Sequence, residues 1–199
     1  MRNRYLLYID ILGFSNYVKK NPVQVRQIYK IIEGLNAHNH DAFKVIVFSD
    51  TILIYNLIEP LTEHDKDYYV MFLIEFAQNL LYEFAGKKLF FRAVLVKGEF
   101  NHITSGRFEK YFGKALIKAY QKEKTINCCG LFIDRESQKN NIVFSIAKYD
   151  REVSFVYLNQ SLDRFYNGEL GDWPVDPYWM FQTDSQWHLA KDIHFLKDL

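Results

Sequence analysis

The sequence predicts an α+β sandwich in which helices pack on one face of a mainly antiparallel sheet. Three observations predict it. Short apolar runs rich in β-branched and aromatic residues alternate with longer stretches of helical periodicity. Their order is β-α-β-β-α-β, followed by α-β and a terminal hairpin, and a split βαβ unit of this kind sets the first strand beside the hairpin that follows it. No composition break, internal repeat or low-complexity tract divides the 199 residues. One domain over 1–199 is therefore expected, with a core over about 5–158 and a tail over 159–199.

Tyr5 to Ile11 is a short, nearly continuous apolar run closed by Leu12-Gly13-Phe14, the pattern of a buried strand. Pro22 suits a first helical turn, and Val25, Ile28, Ile31, Ile32 and Leu35 then recur at helical spacing up to an Asn/His cluster at 36–41. Phe43 to Tyr55 is β-rich but interrupted by Phe48-Ser49-Asp50-Thr51, so two strands meet at a tight turn tipped by an acid. A long helix starts at Asp65 or just before it, carries Tyr69, Phe72, Leu73, Phe76, Leu80 and Phe84, and is stopped by Gly86. Leu89 to Val96 is a strand, Gly113 to Lys124 a helix with Leu116, Ala119 and Tyr120 on one face, and Gly130 to Ile133 another strand. Ile142 to Lys148 and Val153 to Leu158 complete the pattern as two strands, and the Trp- and Asp-containing tail is left unassigned.

Composition narrows the function. Lys plus Arg total 25 against 24 for Asp plus Glu, which removes the broad basic field a general nucleic-acid binder uses on phosphates. A small phosphorylated ligand in a local pocket remains allowed. The only cysteines, Cys128 and Cys129, are adjacent and form no metal-binding C-x-x-C, so free thiols in a reducing cytoplasm are expected. The N-terminal apolar run meets Asp10 too early for a signal peptide or bilayer span, and Tyr68 to Phe84 is interrupted by Glu75, Gln78, Asn79 and Glu83, so no membrane association is expected. The six histidines show no zinc spacing, and no Walker or Gly-x-Ser-x-Gly pattern is present, which disfavours hydrolase and ATPase chemistry.

Asp10 closes the first strand and Asp50 tips the hairpin that pairs beside it. Two carboxylates at neighbouring strand ends make an oxygen-rich site suited to Mg²⁺ or Mn²⁺ with substrate phosphates, and turn amides at Gly13 add a phosphate cradle. The alternative is that Asp10 caps a strand and Asp50 forms a turn, with no shared chemistry.

Four stretches carry a resemblance. Y-I-D-I-L-G-F-S (8–15) and F-S-D-T-I-L-I-Y (48–55) resemble the two metal motifs of class III adenylyl and guanylyl cyclases, in the expected order. F-R-A-V-L-V-K-G (91–98) is similar to that family's R-x-G-I-x-x-G strand, and Y-F-G-K-A-L-I-K-A (111–119) to its aromatic-x-G-x-x-V-N-x-A helix. Together they cover about 5–133. The resemblance implies a ferredoxin-like, class III cyclase sandwich. It also implies that Asp10, Asp50 and the Ile11 carbonyl bind two Mg²⁺ or Mn²⁺ ions, that amides from Leu12, Gly13, Phe14 and Ser15 hold a triphosphate, and that Arg92 contacts a phosphate. A homodimer with its sites at the subunit interface follows from the same likeness.

The departures redirect the substrate. The family's transition-state Asn and Arg fall at Ile117 and Gln121, leaving Lys114, Lys118 or Lys122 as substitutes. The two base-reading positions align with Ile46 and Lys110, and an aliphatic Ile46 makes no hydrogen bond to a purine edge. With the compact length, this looks like the bacterial pyrimidine cyclases of Pycsar anti-phage defence, implying UTP in preference to CTP as substrate and a separate effector protein that senses the cyclic product. A purine cyclase and a non-catalytic nucleotide-binding module are the competing readings.

Overall fold

The Tyr5–Ile11 run lies at the heart of the fold, as its lack of apolar/polar alternation requires. A computed structural model of the chain describes residues 2–35 and 40–158. In chain order the elements are β1 (Asn3–Ile11), α1 (Phe14–Lys20), α2 (Pro22–Gly34), β2 (Phe43–Phe48), β3 (Thr51–Asn56), α3 (Glu63–Phe84) and β4 (Phe91–Glu99). There follow β5 (Asn101–Ser105), β6 (Phe108–Phe112), α4 (Lys114–Thr125), β7 (Gly130–Asp134), α5 (Arg135–Gln138), β8 (Ile146–Lys148) and β9 (Val153–Val156). Seven strands form one sheet in the order β2-β3-β1-β4-β7-β9-β8, while β5 and β6 pair as a separate hairpin. Every pairing is antiparallel except β4 with β7. This is the α+β, mainly antiparallel class the sequence predicts.

Strand alternation divides the core in two. Leu7, Ile9 and Ile11 of β1 join Ala93 and Leu95 of β4 against Ile28 and Ile32 of α2 and Leu73, Ala77 and Leu80 of α3. Leu6 and Tyr8 point the other way and meet Val94, Val96 and Phe132 beneath Ala115 and Ala119 of α4. Thus α2 and α3 share one face as expected, and α4 covers the middle of the opposite face. The reason lies in the central strands themselves: β1 and β4 are apolar on both faces, and both must be removed from water.

Local chemistry sets the element ends. Asn21 accepts from the Gln24 amide at 3.2 Å and Pro22 fills the first turn of α2. Thr62 and Asp65 form a reciprocal capping box, so α3 starts at Glu63. Ser49, at φ 55°, turns β2 into β3. Gly113 admits no side chain, because a Cβ there would stand 2.2 Å from the Glu99 carbonyl oxygen and 2.7 Å from the Phe100 Cα. That close approach seats the start of α4 on the end of β4.

Parts of the pattern differ from expectation, among them the short helix α5. The seven-residue α1 and the polar β5–β6 hairpin carry too little apolar periodicity to stand out in the sequence. Of the segment expected as a strand over Ile142–Lys148, only Ile146–Lys148 pairs, because Asn141 bonds both the amide and the carbonyl of Phe144 and holds a turn there. The terminal hairpin itself is present as β8 and β9. The tail, with His188 and His194, lies outside the described residues, as does His38.

Candidate active site

The register of the sheet brings the two strand-end acids together. Asp10 of β1 pairs with Thr51 of β3, so Asp50 is the next residue along the hairpin. The Ile11 amide donates to the Asp50 carbonyl oxygen at 2.9 Å, which ties the end of β1 to the turn. The side chains interact: burial raises the Asp10 carboxyl above its ordinary value, and repulsion from Glu123 and then Asp50 raises it further, with Lys124 and Arg92 opposing. A half-buried carboxylate crowded by two others is a position at which a divalent cation lowers the free energy. The donors are hard oxygens, which suit Mg²⁺ or Mn²⁺. Among the described residues no three His, Cys, Asp or Glu side chains are grouped to hold a metal. The carboxylates of Asp10 and Asp50 are the side chains here that could hold a cation.

The turn after β1 is built by Gly13, whose φ of 74° is left-handed and starts α1. The Leu12 amide is already bonded to the Phe90 carbonyl at 2.9 Å and is not available to a phosphate. The amides of Phe14 and Ser15 open the first turn of α1, where backbone donors lack intrahelical acceptors. The Phe14 side chain is buried in the core and serves as the anchor of this turn.

Arg92 pairs with Asp10 across β4 and β1. Its Nη1 donates to Glu123 Oε1 at 2.6 Å and approaches the Glu123 carbonyl oxygen at 3.4 Å, and its Nε donates to the Cys128 carbonyl at 3.3 Å. Glu123, on α4, is only 1% exposed, and Lys124 Nζ stands 3.7 Å from its Oε2. Sequence reasoning missed Glu123. The signal was present as an acid at the third position of the Ala115, Ala119, Glu123 stripe, where an apolar residue is the norm.

No family model matches the sequence, and no curated protein matches it. Solved structures do. The adenylyl cyclase CyaB from P. aeruginosa superposes with a TM-score of 0.58 at 10% identity, covering 78% of this chain and 93% of that one. The guanylate cyclase domain of RhGC from Catenaria anguillulae, in complex with GTP, gives 0.55 at 12% identity over 78% and 96%. A dimeric guanylyl cyclase domain of the RhoGC fusion protein from Blastocladiella emersonii gives 0.56 at 14% identity over 77% and 92%. The fold is that of the class III nucleotide cyclases.

Within this cyclase fold the remaining sequence-predicted positions fall as follows. Ile117 and Gln121 are exposed on α4, Ile117 at 58%. The three lysines offered in their place are each ion-paired: Lys114 with Glu99 at 3.2 Å, Lys118 with Asp134 and, at 3.4 Å, with Glu136, and Lys122 with Glu152. Burial is the largest influence on the Lys118 amine and acts to lower it, but Asp134 and Glu136 together hold it above its ordinary value. Ile46 lies partly buried on β2 and packs against the α4-side core. Lys110 lies on β6 opposite Ile103, on the outward face of the hairpin. The inward face carries Tyr111, which stacks on His102 at 4.6 Å, while His102 Nδ1 bonds the buried Tyr55 hydroxyl at 2.8 Å. His40 bonds the Tyr68 hydroxyl at 2.8 Å, as His102 bonds that of Tyr55. Cys128 and Cys129 are free thiols. No described helix is long and apolar enough to cross a membrane.

Proposed function

We propose that this chain is a metal-dependent nucleotide cyclase. It converts a pyrimidine nucleoside triphosphate, UTP in preference to CTP, into the 3′,5′-cyclic monophosphate and pyrophosphate. The observation that carries this reading is the placement of Asp10 and Asp50 side by side at one end of a class III cyclase sheet.

In the reaction the ribose 3′-oxygen loses its proton and bonds to the α-phosphorus while the bond to the pyrophosphate oxygen breaks. Two Mg²⁺ or Mn²⁺ ions, when bound, activate the attacking oxygen and offset charge on the phosphates. Asp10, Asp50 and the Ile11 carbonyl hold them, so the acids are ligands and not nucleophiles. Amides of Gly13, Phe14 and Ser15 and the guanidinium of Arg92 receive the triphosphate. With Leu12 committed to Phe90, the cradle is one donor smaller than the resemblance implies.

Ile46 supports a pyrimidine, since its side chain leaves a purine edge without a partner. The adenylyl and guanylyl activities of the structural neighbours favour the second reading, a purine cyclase. The Ile117 and Gln121 positions favour a third, a non-catalytic nucleotide-binding module. The active assembly is a homodimer in which the second subunit supplies the base-contacting and transition-state groups, working in the cytoplasm and signalling to a separate effector in anti-phage defence.

Purified protein incubated with Mn²⁺ and each of the four ribonucleoside triphosphates, with products identified by mass, tests all three. Cyclic UMP as the main product supports the reading. Cyclic AMP or GMP replaces it with the purine cyclase, and binding without turnover replaces it with the module.

A further inference from the structure

Helix α4 buries an acid where its periodicity calls for an aliphatic side chain. Ala115, Ala119 and Glu123 form one stripe and all three are shielded from solvent. A carboxylate in that position is costly unless it is paired. Its partner is Arg92, held through two of its nitrogens: Nη1 to the Glu123 carboxylate at 2.6 Å, Nη1 to the Glu123 carbonyl at 3.4 Å, and Nε to the Cys128 carbonyl at 3.3 Å. Acceptors at two different nitrogens of a planar guanidinium, Nη1 and Nε, fix its plane as well as its place. The register then sets the fixed group directly across from Asp10. Glu123 Oε2 accepts no hydrogen bond among the described residues, and Lys124 Nζ stands 3.7 Å from it.

We propose that Glu123 is a positioning residue for the phosphate-binding arginine: it holds Arg92 so that the Nη2 group, which bonds neither Glu123 nor Cys128, is presented to a triphosphate oxygen. The inference rests on the phosphate-binding role given to Arg92 in the proposed reaction. Two simpler roles predict different behaviour. An ion pair that only staples α4 to β4 would alter the melting temperature and leave phosphate affinity alone. An effect of charge alone has the opposite sign, because removing Glu123 leaves Arg92 and Lys124 less balanced and strengthens their pull on an anion. Positioning alone makes loss of a negative charge weaken the binding of a polyanion.

The test is calorimetric titration of the full chain with inorganic tripolyphosphate in the presence of Mg²⁺, for wild type, Glu123→Gln, Glu123→Ala, Arg92→Ala and the Arg92/Glu123 double alanine variant. Glu123→Ala is expected to weaken binding about ten-fold, the worth of a charge-assisted hydrogen bond. The double variant is expected to bind no more weakly than Arg92→Ala alone, since Glu123 acts through Arg92. Glu123→Gln keeps the volume and one oxygen acceptor, and is expected to lose about three-fold; it decides the matter if the alanine variant does not fold. Unchanged or tighter binding in the Glu123 variants overturns the proposal, as does a loss that adds to that of Arg92→Ala, or a wild type that does not bind tripolyphosphate. The cyclase reading is judged separately. A wild type that yields no cyclic product but shows the coupled loss keeps the positioning role without the reaction, whereas cyclisation with full affinity in Glu123→Ala keeps the reaction without the positioning role.

Discussion

Gly113 is the joint between the central sheet and the helix that carries Glu123, and replacing it with alanine should be among the most damaging single-methyl changes in the protein. Two effects act together. Its backbone, at φ 152° and ψ 166°, occupies a region essentially reserved for glycine, which costs another residue about 1–3 kcal/mol. The added Cβ would also lie 2.2 Å from the Glu99 carbonyl oxygen. A carbon and a carbonyl oxygen settle at about 3.3 Å, so α4 or β4 must give by about 1 Å. Both partners are backbone, and overpacking of this kind adds about 1–3 kcal/mol. The expected loss is about 4 kcal/mol, read as a shift in the urea unfolding midpoint. Gly106→Ala is the matched control: its φ of 59° is also left-handed, but nothing lies within 4 Å, so only the conformational cost of about 1 kcal/mol applies. A shift of about 1 Å in α4 also stretches the 2.6 Å Arg92–Glu123 contact out of hydrogen-bonding range, so any variant protein that folds should bind tripolyphosphate poorly. If Gly113→Ala costs no more than Gly106→Ala, the seating of α4 on β4 has been misread.

Asp50→Ala should leave the fold intact, because the turn is held by backbone bonds, while cyclising activity falls at least 100-fold; full activity in a mass assay would remove Asp50 from the site. Mn²⁺ should raise the melting temperature of the wild type, and Asp10→Asn should abolish that rise, since a ligand that binds only the folded state stabilises it by mass action; an equal rise in both places the cation elsewhere. Glu75→Gln should stabilise the protein at pH 7 and cease to do so in acid. Burial raises the Glu75 carboxyl in the folded state, so the folded protein holds this proton more tightly than the unfolded chain does. The penalty is therefore absent below the unfolded value near 4.5, grows as pH rises through the raised folded value, and is complete above it. Thermal melts of both proteins across that range check it, and a stabilisation that persists in acid would show that charge is not the cause.

The fold was legible because its core elements bear strong periodic signatures. β1 lacks alternation and so announces burial on both faces, and α3 repeats aromatic and aliphatic residues over 22 positions behind a Thr62–Asp65 cap. Burial of β1 and β4 on both faces was also the clue that one layer of helices would not suffice, and α4 supplies the second cover. Asp10 and Asp50 stood out because each interrupts a hydrophobic run at a strand end. The environment of Arg92 did not, because its partner lies 31 residues away on a helix where one acid among several charged residues does not by itself mark a pairing. The fates of Lys118 and Lys122 were equally hidden, since Asp134 and Glu152 become their neighbours only when β7 and β9 join the sheet.

The hairpin between β2 and β3 closes from Phe48 to Thr51, leaving Ser49 and Asp50 as its entire connection. Such a short link has no slack: one inserted or deleted residue must either open the ladder or slide β3 by a step, turning Ile52 and Ile54 out of the core. Around this tip, sequence drift can proceed by exchange of side chains but not by change of length, so the chain counts its way to the position of Asp50.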